Sequence, residues 1–344
     1  MSRIQSVDVL RVAAIISVIA IHTAPFSSPA APIGEQFDFA TLLHLPTRFA
    51  VPFFFILSGY FWSHKFGSGR EIYTPTISML KRVAFLFLGW SAVYLLPTNF
   101  FDTFAYGPLG PFKQLYWNIE SAMARPLDTL MQGTKVHLWF LMALLWSLSI
   151  SAVLLRYRQT WLLVFLSILL YAIGLAGKAY SDSPLGFHAD FNFRNGPFFS
   201  LLFFVTGYFL YQRKASPAWF PAGLSIAAFG FLLQFAELSA VRGQWGSSLA
   251  QDYVAGTYFL GLGAAMMGLS NSRYLSFSSA AAIGPLVLGI YASHYIFVEF
   301  LRPLERQFAG NPVWSVTYVV AVFFLSYALA RLMLKSSSTR KLVM

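Results

Sequence analysis

The sequence contains no cysteine. That excludes disulfides, thiolate metal sites and a cysteine nucleophile, so an acyl or phosphoryl relay has to run through His, Ser, Asp or Glu, or pass directly from donor to acceptor. Charge is scarce too: 11% of the 344 residues are charged, against about 25% in an ordinary soluble domain. Acids are the rarer sign, 13 against 24 basic residues, for a formal net charge of +11. Gly177-Lys178 lacks the upstream glycine and the following Ser/Thr of a phosphate-binding loop, and no Gly-x-Gly-x-x-Gly, His-Glu-x-x-His or Gly-x-Ser-x-Gly occurs. ATP-driven transport and zinc hydrolysis thereby lose their usual sequence support.

What is present is apolar, 57% of the chain. The runs predict an all-α integral membrane protein, a polytopic bundle of about ten transmembrane helices in one domain over 1–344, with a short basic cytoplasmic tail at 335–344. Spans of roughly 17–25 residues fall at 7–24, 48–63, 82–97, 137–155, 161–179, 197–212, 219–238, 253–269, 281–301 and 313–334. Pro52, Pro97 and Pro285 are expected to kink their helices. The first run follows Met1-Ser-Arg3 without an Ala-x-Ala end and carries Arg11, so it reads as a retained helix.

Lys and Arg in the loops set the orientation. With the N-terminus inside, the cytoplasmic segments hold basic residues such as Arg3, Lys65, Arg70, Lys81, Arg82 and Arg156, with only Asp8 and Glu71 as acids. The other side collects Asp102, Asp128, Asp182, Asp252, Glu299 and Glu305 among its acids. The basic excess is thus a positive-inside signal with membrane lipids as surroundings, not a nucleic-acid footprint. Both termini are expected in the cytoplasm of a multi-pass membrane protein. The outer loop 98–136, rich in Pro, Gly and aromatics, is expected to pack over the helices as a cap.

Arg11 and His22 lie eleven positions apart in the first helix. Eleven steps of about 100° come within roughly 20° of three turns, so both side chains share a face about 16 Å apart along the axis. Each ionisable group deep in a span costs on the order of 2.5–3.5 kcal/mol, so two in phase point to a cavity with a use. His22, His137 and His294 occupy helix positions, whereas His44, His64 and His188 read as exposed loop residues. No close i, i+4 pair with carboxylates accompanies them, so no metal site is expected. One internal echo stands out: Phe54-Phe-Ile-Leu-Ser58-Gly59-Tyr60-Phe61 is similar to Leu202-Phe-Phe-Val-Thr206-Gly207-Tyr208-Phe209. A distant duplication and chance in Phe-rich helices both explain it.

Arg11-x10-His22 resembles the signature of the bacterial membrane acyltransferase 3 family, multi-helix enzymes that O-acylate sugars. Arg48-Phe-Ala-Val-Pro52 through Ser58-Gly59-Tyr60, His137-Leu-Trp139-Phe140 and Leu288-Gly-Ile-Tyr291-x-x-His294 follow in family order. The nearest likeness is to the branch containing the enterobacterial-common-antigen O-acetyltransferase. The resemblance implies an acyl-CoA co-substrate, usually acetyl-CoA, taken from the cytoplasm, no permanently bound cofactor, and a hydroxyl of an envelope glycan or lipid-linked sugar as acceptor. It maps the active histidine to His22 and its partner to Arg11. The family often carries further arginines where the second helix meets the third; here Arg70, Lys81 and Arg82 hold that stretch, with Phe85 where a spaced arginine is expected.

The residues support this chemistry in their own terms. With a reference pKa of about 6.5, His22 can take a hydroxyl proton and return it to a leaving thiolate. Direct transfer is the simpler route in a cysteine-free chain, and a transient acyl-histidine is the other. Asp8 at i−3 is expected to orient Arg11. Asp8, Arg70, Lys81, Arg82, Ser58 and Tyr60 are the donor-side candidates, and Arg48, His137, Trp139, Tyr291 and His294 the acceptor-side ones. As an alternative, intramembrane Arg and His also suit a transporter or flippase for a lipid-linked glycan or small anion, and an inactive partner in an envelope complex is a third reading. A homo-oligomer is compatible with each.

Overall fold

The computed structural model describes residues 3–66 and 71–343, so Arg70 lies outside the described residues. The described chain is helical, with one isolated bridge between Ser28 and Ala31 and no extended strand. In order the helices are α1 Gln5–Thr23, α2 Phe39–Thr47, α3 Ala50–Phe66, α4 Tyr73–Val93, α5 Phe100–Phe104, α6 Gly110–Ala124, α7 Pro126–Gln132 and α8 Trp139–Arg156. They continue with α9 Thr160–Ala176, α10 Pro197–Gln212, α11 Trp219–Trp245, α12 Ala255–Leu269, α13 Ser278–Ile283 and α14 Val287–Phe300. The chain closes with α15 Arg302–Phe308, α16 Pro312–Met333 and α17 Ser337–Arg340.

Seven of the described helical segments are long and apolar enough to cross a membrane, and α9, α10 and α12 are shorter apolar helices. The expected spans therefore fall on helices, three of them short at 17, 16 and 15 residues for α9, α10 and α12. Boundaries moved where polar residues sit inside a helix. The third span, expected at 82–97, runs Tyr73–Val93: Lys81 and Arg82 depress local hydropathy, but both side chains are exposed at the helix surface, where their stems can run along apolar surface. Pro52 lies in the first turn of α3, where the missing amide is harmless, and Pro97 lies beyond α4. Pro285 sits in a 3-10 turn, Gly284–Leu286, that breaks α13 from α14.

Capping explains a helix the hydropathy reading missed. The Asp38 carboxylate accepts from the Thr41 amide at 2.8 Å and starts α2. His44 consequently lies buried in α2, 8% exposed, instead of in an exposed loop; His188 is an exposed loop residue as expected, and His64 is exposed but in the last turn of α3.

The sequence echo has a structural counterpart. A Cβ on Gly59 would stand 2.0 Å from the Phe204 carbonyl oxygen, and one on Gly207 would stand 1.9 Å from that of Ile56. Ile56 and Phe204 are themselves equivalent positions of the two motifs, so α3 and α10 cross through a locally two-fold contact. Small residues at a crossing let backbones approach, which is how helices associate where lipid gives no hydrophobic drive. The opposite stripe of α3, Val51, Phe54, Ser58, Phe61 and Lys65, faces a cavity.

Two peripheral segments are fastened to the bundle. Segment 98–136 forms α5–α7 and is fastened at the ends of the helices: Asn118 donates to Leu95 O at 2.9 Å, Thr134 to Ser91 O at 2.7 Å, and Arg306 pairs with Asp102 at 3.0 Å. Most of its large apolar side chains, Phe100, Phe104, Phe112 and Met123 among them, are exposed rather than folded over the bundle. The tail after Lys335 is not free: Trp90 Nε1 donates to Leu342 O at 2.9 Å, and Val343 is fully buried beside Gly289.

Candidate active site

A cavity of about 430 Å³ opens between α1, α3, α4, α8 and α14. Near one end its wall holds Arg11, Lys65 and Arg82; toward the other it holds His22, His137, Trp139 and Tyr291. Arg11 and His22 thus share one cavity, at the separation of about 16 Å that eleven helical residues span. Asp8 holds the basic end in place: it is 4% exposed, pairs with Arg3 Nε at 2.5 Å and with Arg11 Nη1 at 3.0 Å. The Arg11 guanidinium lies 5.3 Å from the Phe61 ring.

At the other end three imidazoles converge. Ring centroids lie 5.3 Å apart for His22 and His294, 5.0 Å for His137 and His294, and 6.4 Å for His22 and His137. Tyr295 stacks on His137 at 5.1 Å and meets His22 edge-on at 5.3 Å. A carbonyl can only accept, so His294 Nδ1 carries the proton it donates to Tyr291 O at 2.6 Å, leaving Nε2 as an acceptor. His137 Nε2 points at Ala292 O at 3.4 Å. The remaining nitrogens, His294 Nε2 and His137 Nδ1, are buried without a hydrogen-bond partner. No group of His, Asp and Glu among the described residues is arranged to hold a metal ion.

Beside the histidines lies a basic cluster on one acid. Asp252, in the loop before α12, meets Lys178 at 2.8 Å, Arg194 at 3.2 Å and Arg48 at 3.7 Å. Burial works to raise the Asp252 carboxyl, but Arg194, Lys178 and Arg48 outweigh it and hold it below the ordinary carboxylate range. Arg194 also lies over Trp139 at 4.9 Å. A second pair, Lys135 and Glu299 at 2.7 Å, flanks Tyr295.

The sequence pattern of the acyltransferase 3 family, described as an acyltransferase domain, matches residues 4–331. The chain belongs to this family. Among curated proteins it is 27% identical over 216 residues to an amino-acid racemase of Enterococcus faecalis, covering 58% of this chain and 27% of that protein. A serine/alanine racemase of Enterococcus gallinarum is 29% identical over 255 residues, 68% of this chain and 32% of that protein. The chain thus spans about a third or less of the length of the curated relatives it matches. No solved structure matches it.

For this family member the cavity gathers Arg11, His22, Ser58, Arg82, His137, Trp139 and Tyr291 from the expected residues, and His294 packs directly behind His22. Asp8 reaches the cavity only through Arg11. Three expected residues stand elsewhere. Lys81 is exposed on α4 away from the cavity wall, Tyr60 is buried edge-on against Phe61 and Tyr211, and Arg48 faces Asp252. Even Ser58 turns its hydroxyl back to Phe54 O at 2.7 Å, a helix bond rather than a free ligand. Lys65, Lys178, Arg194, Asp252 and Tyr295 were missed. Lys178 and Arg194 left one signal: they are basic residues at helix ends on the acid-rich side, where the positive-inside pattern has no place for them.

Proposed function

We propose that the chain transfers an acyl group, acetyl by family precedent, from cytoplasmic acyl-CoA to a hydroxyl of an envelope glycan or lipid-linked sugar at the His22 end. Within the family the reading follows the branch containing the enterobacterial-common-antigen O-acetyltransferase. The single observation that carries it is the cavity joining Arg11, Lys65 and Arg82 to His22 and His137. Cations at one end suit the phosphates of CoA, and the length between Arg11 and His22 suits an extended pantetheine arm.

In the proposed reaction His22 removes the acceptor hydroxyl proton as its oxygen attacks the thioester carbonyl. The carbon–sulfur bond breaks, and His22 returns the proton to the thiolate, giving the ester and free CoA. His294 and His137, with ring centroids 5.3 and 6.4 Å from that of His22, each keep one buried nitrogen without a partner, which in the proposed reaction could accept from His22 while it is charged. The racemase names belong to proteins of which this chain covers about a third or less, so they give the reading no substrate.

In purified chain, His22→Ala is expected to lower acceptor-dependent CoA release by about 10²–10⁴-fold, the usual contribution of a positioned acid–base group. Release at the wild-type rate removes His22 from the chemistry. Substrate flux in vesicles without CoA dependence favours the transporter reading instead.

A further inference from the structure

Arg48, Lys178 and Arg194 come from three separate parts of the chain: the turn between α2 and α3, the end of α9, and the residues before α10. All three converge on Asp252, the only carboxylate in salt-bridge contact with any of them among the described residues. Two guanidiniums with five N–H donors each and an ammonium with three face a group offering about four acceptor positions. The surplus is visible in the geometry. Arg48 stays at 3.7 Å, beyond hydrogen-bond length, and Arg194 Nε is buried without a partner. The neighbouring Asn195 side chain, 1% exposed, leaves both its oxygen and its nitrogen unpaired. Side-chain exposures of 13%, 25% and 16% for Arg48, Lys178 and Arg194 leave little water to satisfy these donors.

Three cations on one anion make a poor structural ion pair, because burying unmatched charge is costly. The same arrangement makes a good half-site for a second anion. It also stands beside the chemistry: Arg194 lies on Trp139, which lines the cavity together with His22.

We infer that the acceptor is an anion, a hydroxyl compound whose carboxylate or phosphate is held by Lys178, Arg194 and Arg48 with its hydroxyl presented to His22. Asp252 spaces the three cations and tempers their charge, as a built-in competitor for the same donors. The inference rests on the acyltransferase reading for the word acceptor, but anion binding can be measured without it. Specificity here comes from long, fixed cations: an uncharged sugar of the same shape leaves them as unmatched as they are when the site is empty.

The test uses the full chain in lipid nanodiscs with glucose, glucuronate and glucose 6-phosphate as probes at constant ionic strength. The unfolding midpoint reports binding and CoA release from acetyl-CoA reports transfer. Glucuronate or glucose 6-phosphate is expected to raise the midpoint where glucose does not. Lys178→Gln and Arg194→Gln each weaken that binding about ten- to a hundredfold, the worth of one charge-assisted contact. Asp252→Asn strengthens it, a direction that general damage to the fold does not produce. If Arg194→Gln fails to fold, the more exposed Lys178 carries the test. A response to the carboxylate alone marks an acidic sugar as acceptor; a response to the phosphate alone marks a sugar phosphate. Equal behaviour of the three probes, or an anion effect unchanged in Lys178→Gln, overturns the inference. Transfer to glucose without any preference for the acids does the same while leaving the acyltransferase reading intact. Anion binding with this mutational pattern but no CoA release keeps the site and removes that reading.

Discussion

Asp252 illustrates how much one carboxylate can hold. Its ionised form ties α9, α10 and the α2–α3 turn together through Lys178, Arg194 and Arg48. Because its carboxyl is held below the unfolded value of about 3.9, the contact stabilises the fold above that pH and is lost as pH falls through the folded value. Thermal midpoints of the wild type should therefore drop at acid pH by more than those of Asp252→Asn, which has no such proton to gain. Equal acid sensitivity would show that the cluster contributes nothing to stability. Residues such as this were illegible in the sequence: Asp252, Lys178 and Arg194 are separated by long stretches of chain and meet only in the fold. Arg11 and His22 were legible because a single helix carries both, and a known period relates their faces.

At the level of helices, the decisive contacts are backbone approaches. The crossing of α3 and α10 has no room for a methyl group on Gly59 or Gly207. Gly59→Ala and Gly207→Ala are each expected to destabilise the protein by about 1–3 kcal/mol, the usual cost of overpacking a filled interior. Since both changes prise open one contact, the double variant should cost less than the sum of the single ones. Thermal unfolding in detergent measures this, and full additivity would mean that the two glycines act independently. The repeated Ser/Thr-Gly-Tyr-Phe was visible in the sequence, but that the copies meet was not, because sequence similarity carries no partner. The α4 boundary was misread for a related reason: hydropathy counts Lys81 and Arg82 as breaks, although long side chains can leave a helix toward polar surroundings without ending it.

For the molecule as a whole, charge distribution was the most legible property and caps the least. The bundle puts Arg11, Lys65 and Arg82 at one end of the cavity and His22 toward the other, and the loop charges make the first of these the expected cytoplasmic end. A chain without cysteine lends itself to a direct check of orientation. Ala215→Cys, at an exposed position in the loop between α10 and α11, should react with an impermeant maleimide only from the cytoplasmic face of oriented vesicles. The highly exposed Leu185→Cys should react only from the other. Labelling of both from one face would invert or break the expected topology.

The glycine crossing constrains how a substrate can get in. One flank of α3 is pressed against α10 without slack, while its other flank forms the chamber wall. That wall cannot retreat. On the donor reading proposed above, admission of a bulky nucleotide would instead fall to the other helices that line the chamber, α1, α4, α8 and α14, opposite an immovable jamb.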